Sequence, residues 1–238
     1  MTTPALSWQQ LTGMDESHLV DLPCGHRMRE QAGQAFALLQ TDAREAGFDL
    51  VIASSFRSYA RQLAIWNAKA SGERPVYDEQ DEPVGMSSLP PAQQLRAILR
   101  YSAIPGSSRH HWGTDIDVYD AAAVPAAYQV QLSAQEVSSG GVFDALHCWL
   151  DQRMQVNQSQ GFFRPYAHDT GGVAPERWHL SYAPLALPCS GLLRGDLLRE
   201  CWDAAGELLL RAEIEGDMAE IMRRYVQVPQ DWCPAAAG

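Results

Sequence analysis

Two short stretches of this chain concentrate the side chains that hold metals and move protons. The first is Ser108-Arg109-His110-His111-Trp112-Gly113-Thr114-Asp115-Ile116-Asp117, and the second is Pro175-Glu176-Arg177-Trp178-His179. Imidazoles and carboxylates are the donors of catalytic zinc sites, where three protein groups hold the ion and one position stays open. A nearby carboxylate that is not a ligand then serves as general base. Spacing limits the geometry. His110 and Asp117 are seven positions apart with Gly113 between them. That excludes the one-turn helical pair of an H-E-x-x-H motif, whereas a bend at the glycine lets a loop residue and a strand residue meet. His179 must come from a separate strand. Glu176, just after Pro175, can fold over the same place from a turn. A histidine and an aspartate in one stretch also have ordinary structural uses, so on spacing alone metal binding and a structural role both stand.

The elements around these stretches follow from periodicity. Ala32, Ala35, Phe36, Leu39 and Ala43 share one helical face, which predicts a helix over 28–46 that Gly47 ends. The run 48–53 is short, apolar and β-branched, and reads as a buried strand. A second helix begins at Ser58, with Leu63 and Trp66 on one side. Residues 71–91, with Gly, Pro and many acids, predict a long loop of the kind that often forms a lid or binding loop. A helix over 92–101, an irregular segment over 104–113 and a strand over 114–119 follow. Further on come a helix over 143–154 and strands over 161–166 and 178–182, with a turn at Gly171 and Gly172. Residues 192–211 and 213–225 read as helices rich in Leu, Glu and Arg. The elements do not alternate regularly. The expected class is therefore α+β: a small, mostly antiparallel central sheet flanked by helices. The expected organisation is one domain over 1–188 with a helical C-terminal extension over 189–238 packed on it.

The bulk properties bound the partners. The chain has 238 residues and a formal charge of −11. So acidic a surface repels phosphate backbones and anionic lipid, which argues against a nucleic-acid partner. No apolar run is long enough to span a membrane. Five cysteines at wide spacings (Cys24, Cys148, Cys189, Cys201 and Cys233) predict reduced thiols. The first ten residues lack the basic and apolar regions of a secretory signal, so the expected compartment is the cytoplasm. Oligomeric state is not legible.

Taken together, the motifs resemble those of the VanY-type D-alanyl-D-alanine carboxypeptidases, zinc enzymes related to D-Ala-D-Ala dipeptidases and to the Hedgehog signalling domain. The pattern S-x-H-x-x-G-x-A-x-D matches Ser108, His110, Gly113 and Asp117, and E-x-x-H matches Glu176 and His179 with Trp178 before the histidine. A third element, S-x-[YF]-R-S after a strand, matches Ser54-Ser55-Phe56-Arg57-Ser58, followed by Tyr59 and Gln62. The three lie in the family's order over residues 50–182. The resemblance implies a zinc ion held by His110, Asp117 and His179, with Glu176 as general base. Arg57 would face the substrate, to stabilise an oxyanion or clamp a carboxylate. Apart from the resemblance, Ser108, Gln62 and Asp115 are expected as further substrate contacts.

One position departs from the pattern. Asp115 stands where the family has a small residue, usually Ala. In an extended strand it shares a face with Asp117, so it either holds a ligand histidine from behind, tunes substrate choice, or turns to solvent or a local arginine. The ordinary reading of Arg57 is a salt bridge at a helix start, and that of Ser108 is a turn. His111 and the remaining histidines read as packing residues, and Trp112, Trp178 and Tyr182 as walls. The expected function is a zinc-dependent carboxypeptidase acting on a small peptide that ends in D-Ala-D-Ala. The alternatives are a D,D-dipeptidase, a peptidoglycan endopeptidase, or a zinc-binding interaction module without turnover.

Overall fold

The computed structural model of the chain describes residues 5–79 and 82–228. Cys233, the end of the C-terminal extension and the middle of the acidic run 78–82 lie outside the described residues. In chain order, a short helix α1 (Trp8–Leu11) and a hairpin of β1 (Val20–Asp21) and β2 (Arg27–Met28) precede helix α2 (Glu30–Glu45). Then come β3 (Leu50–Ser54), α3 (Tyr59–Ala70), α4 (Pro91–Leu99), β4 (Asp115–Asp120), α5 (Ala134–Val137) and α6 (Asp144–Gln155). Then follow β5 (Phe162–Phe163), β6 (His179–Tyr182) and helices α7 (Ala183–Ser190), α8 (Gly195–Asp203), α9 (Arg211–Gly216) and α10 (Met218–Ile221), the last running on into a π-helical turn, Met222–Val226. The fold is α+β, as the sequence predicts.

The main sheet has the order β3-β4-β6-β5 and is antiparallel throughout. Its two faces are sorted by the period of two along each strand. Ile116 and Val118 of β4, Leu180 of β6 and Leu50 and Ile52 of β3 turn one way. They pack on Ala32, Phe36, Leu39 and Ala43 of α2 and on Leu146 and Leu150 of α6. The alternate residues, Asp115, Asp117, His179 and Ser181, turn the other way. Asp117 lies opposite His179, and Asp115 opposite Ser181. α2 forms because its apolar residues fall at helical spacing, and it stops where Gly47 takes φ +91°.

A second core lies beyond the polar face of the sheet. Trp66 of α3, Leu95 and Ile98 of α4, and Trp112 meet Leu198, Cys201 and Trp202 of α8, Ile214 of α9 and Ile221 of α10. The indole nitrogens lock the halves together: Trp66 donates to the Leu209 carbonyl at 2.9 Å, and Trp202 donates to that of Pro105 at 2.9 Å. α7 straddles both cores, with Leu185 in the first and Ala186 and Cys189 in the second.

Several elements differ from expectation. The helix expected over 192–211 is only α8, because the chain turns through 204–210 to cap Trp66 and Asn67 of α3. The strand expected over 161–166 shortens to the two residues of β5. The hairpin β1–β2 is too short to leave a periodic signal, and α7 is masked in the sequence by Pro184 and Pro188. Cys24, Cys148, Cys189 and Cys201 are free thiols. Among the described residues no helix is long and apolar enough to cross a membrane.

Candidate metal centre

His110, Asp117 and His179 converge on the polar face of the sheet. Asp117 and His179 meet because β4 and β6 pair them directly. His110 arrives from a 3₁₀ turn, Arg109–Trp112, that leads into β4. Gly113 closes this turn at φ +67°, and its carbonyl accepts from the Arg29 N–H at 2.8 Å. The left-handed conformation is what reverses the chain, and a Cβ there would lie 2.2 Å from Leu19. The three side chains are almost wholly buried, and one donor atom of each lies within 4.8 Å of the other two.

Hydrogen bonds fix which nitrogens face inward. His110 turns Nδ1 to the Ser55 carbonyl at 2.9 Å, leaving Nε2 at 3.4 Å from Asp117 Oδ2. His179 turns Nε2 to Asp115 Oδ1 at 3.0 Å, leaving Nδ1 at 3.3 Å from Asp117 Oδ1. Donors held about 2.0–2.1 Å from a tetrahedral zinc lie about 3.3–3.4 Å apart, so these spacings suit such an ion. Asp117 Oδ1 is buried without a hydrogen-bond partner, a costly arrangement for a carboxylate unless a cation meets it. Burial works against a charge on His179, yet Asp115, Asp117 and Glu176 together hold its pKa well above the usual imidazole value. The cluster therefore favours a positive charge at this point. His, Asp and His form a donor set that fits zinc.

Glu176 sits at the rim, its Oε2 3.4 Å from His179 Nδ1. Its backbone N–H is anchored on the Tyr166 carbonyl at 2.9 Å. Arg57 enters from the segment after β3, where its own N–H reaches the His110 carbonyl at 3.3 Å. Its guanidinium donates to Gln62 Oε1 at 2.9 Å and to the Ser54 hydroxyl at 3.4 Å. Among the described residues no carboxylate pairs with it. Burial lowers its pKa, and the charges of Asp117 and Glu176 oppose that. Arg57, Ser108, His110, Asp117, Glu176 and His179 all line one cleft of about 640 Å³.

Two of the expected substrate contacts are placed elsewhere. Gln62 is fully buried and spends its amide on Arg57 and, at 2.6 Å, on the Ala103 carbonyl. Asp115 is sealed behind His179, where Arg109 donates to it at 2.8 Å, Thr114 at 2.6 Å and Ser181 at 3.0 Å. It turns neither to solvent nor to the cleft.

The tertiary structure gives further residues a part in the site, among them His111, which the sequence marks only as a packing residue. Arg109 lies over the Trp112 ring at 4.7 Å and holds both Asp115 and Ser181. Its signal was an opposite charge inside the same motif as Asp115. His111 is buried between the Arg57 carbonyl, 2.6 Å from Nδ1, and the Gly106 N–H, 3.2 Å from Nε2. It braces the Arg57 backbone, and burial pushes its pKa down to about 3. Tyr166 stands edge-on to the His179 ring at 5.1 Å. No spacing rule points to it.

An uncharacterized protein of Haemophilus influenzae is 44% identical over 103 residues, which covers 42% of this chain and 70% of that one. A second uncharacterized protein of that organism is 31% identical over 126 residues, covering 52% of this chain and 92% of that one. Among solved structures, VanYB in complex with D-Alanine-D-Alanine matches with a TM-score of 0.51 at 19% identity, covering 84% of this chain and 90% of that one. A variant of a VanY D,D-pentapeptidase in complex with Zn(II) matches with a TM-score of 0.50 at 20% identity over the same shares of 84% and 90%. At such identities the likeness speaks for the fold. The family model of VanY, D-alanyl-D-alanine carboxypeptidase, matches residues 25–185. On that match, which covers the whole main sheet and the whole candidate centre, the chain belongs to the VanY D-alanyl-D-alanine carboxypeptidase family.

Proposed function

We propose that this protein is a zinc-dependent D,D-carboxypeptidase that removes the last residue from peptides ending in D-Ala-D-Ala. The observation that carries the reading is the convergence of His110, Asp117 and His179 around a buried carboxylate oxygen that accepts no hydrogen bond, on the wall of a cleft. The same cleft presents Glu176 and an Arg57 that forms no ion pair among the described residues. Zinc held by the triad would supply Lewis acidity, polarising a carbonyl and acidifying water.

The chain's own groups do the rest. Glu176 accepts the proton of the attacking water and returns it to the leaving amine. Its place at the rim, beside the triad and tethered by Tyr166, gives it access to both. Arg57 offers a planar fork to a substrate oxygen that carries negative charge, with its geometry set by Gln62 and its backbone braced by His111. Asp115 acts through His179: by accepting the hydrogen bond of Nε2–H it leaves Nδ1 as the metal donor and fixes the ring.

The cleft runs past the triad along α3 to Lys69 and Arg74. A site for free dipeptide needs no such extension, which favours a longer peptide. The interaction-module reading has no use for Glu176 at this position. The test is release of D-alanine from a peptide ending in D-Ala-D-Ala, with zinc-loaded protein and after chelation. We expect release that chelation abolishes and added zinc restores. No release by zinc-loaded, folded protein overturns the proposal.

A further inference from the structure

The wall of the cleft away from the triad is cationic in a protein whose net charge is −11. One face of α3 forms it, with Ile65 and Lys69 one helical turn apart, and Arg74 follows in the loop after the helix. Lys69 is the only lysine in the chain. It is half-buried, and among the described residues its ammonium meets one group, the Ser102 hydroxyl at 2.6 Å. An ammonium has three donors, so donors remain for a ligand. Arg74 is exposed and, among the described residues, has neither an ion pair nor a side-chain hydrogen bond.

Most arginines of this chain are neutralised locally, for example Arg27 by Glu16, Arg96 by Asp217 and Arg153 by Asp42. Among the described residues Arg57, Lys69 and Arg74 are not, and all three face the same space. The only described acids on its lining, Asp117 and Glu176, belong to the metal end. Burial first, and then the charges of Arg74 and Arg57, bring the Lys69 pKa down to about 8. Holding like charges together in a half-buried wall costs free energy, and an anion bound between them recovers it.

We infer that Lys69, Arg74 and Ser102 form an anion subsite for a second carboxylate of the substrate, separate from the group that Arg57 meets. Arg57 precedes α3 and Lys69 lies in its last turn, about 15 Å along the helix from its first residue. The second carboxylate therefore belongs to a residue upstream of the terminal pair, on a side chain that reaches along the cleft. The substrate class is an acidic peptide ending in D-Ala-D-Ala, and neutral or basic peptides are poorer ligands. This inference rests on the proposed carboxypeptidase reading for the orientation of the peptide.

Two acetylated tetrapeptides test it, both ending in D-Ala-D-Ala, one with two glutamates before that pair and the other with two glutamines. Affinity for zinc-loaded protein is measured by calorimetry at low salt, and D-alanine release is followed in parallel. The acidic peptide should bind about tenfold tighter. Lys69→Met and Arg74→Gln should each shrink that ratio several-fold, and 0.5 M salt should weaken it. Equal affinities in the wild type, binding of neither peptide, or an unchanged ratio in both variants overturns the subsite. The two readings fail separately. Preferential binding without cleavage of either peptide supports the subsite and removes the carboxypeptidase, whereas cleavage of both without preference does the reverse.

Discussion

At the scale of single residues, the centre divides its carboxylates by what surrounds them. Asp117 is buried with an oxygen left over, Glu176 lies at the rim, and Asp115 is enclosed by Arg109, Thr114, Ser181 and His179. Burial alone would raise the Asp115 pKa, but the Arg109 charge and the His179 hydrogen bond outweigh it and keep the carboxylate ionised. The two non-ligand carboxylates should therefore part company on mutation. Glu176→Ala should keep its zinc and its fold and lose about 10²–10⁴-fold in kcat, the usual weight of a general base. Asp115→Asn should instead weaken zinc binding by roughly 10–100-fold, as expected when the group orienting a ligand histidine is altered. It also strips Arg109 of its counter-charge, at a cost of about 3–5 kcal/mol. Zinc affinity by chelator competition and unfolding by denaturant, read on both variants, check this. Loss of zinc from Glu176→Ala would make that residue a ligand.

At the scale of elements, the site depends on one tight reversal. The 3₁₀ turn carrying His110 reaches β4 through Gly113, where the positive φ strains any other residue and a Cβ would push Leu19 aside and crowd the Arg29 backbone nitrogen at 3.2 Å. A non-glycine residue in the left-handed region costs on the order of 1–2 kcal/mol before any clash. Gly113→Ala should lower the Tm by several degrees. Since the turn must shift, His110 should move off Asp117 and zinc affinity should fall as well. A normal Tm with normal zinc binding would show that the reversal tolerates a side chain. The register of β4 against β6 is the other determinant. A slip by one residue would send Asp117 into the apolar face and Ile116 into the cleft.

At the scale of the whole molecule, the helices after β6 complete the core beside which the cleft is built. Leu198, Cys201, Trp202, Ile214 and Ile221 are all buried against α3, α4 and Trp112. A boundary after residue 188 would cut α7, and a boundary after α7 would uncover Trp66 and Ile98. Truncation after Ser190 should therefore give a chain that neither unfolds cooperatively nor binds zinc. Trp202→Ala in the full-length chain should cost about 3–5 kcal/mol and leave zinc bound at low temperature. Cooperative unfolding and stoichiometric zinc in the truncated chain would mark the C-terminal helices as a separable layer.

The sequence by itself determined what periodicity and local chemistry can encode. The helical face of α2, the alternation of β4 and the left-handed Gly113 are each dictated within a few residues, because side-chain sterics and hydrophobic spacing act locally. The three motif stretches held the triad, Glu176 and Arg57 for the same reason: each is a short run whose residue types state their chemistry. Tertiary structure alone decided which way those groups face. That Asp115 lies behind His179, and not in the cleft, follows from its pairing opposite Ser181 and from Arg109 closing over it. That Gln62 holds Arg57, and lies off the cleft wall, follows from the burial of α3 against the 101–103 segment. Lys69 and Arg74 join the cleft only because α3 runs along it, and Trp202 joins the core only because a chain segment returns from more than ninety positions away to meet Pro105. Such pairings are set by the burial of whole faces against one another, a sum over many distant residues that no window of sequence contains.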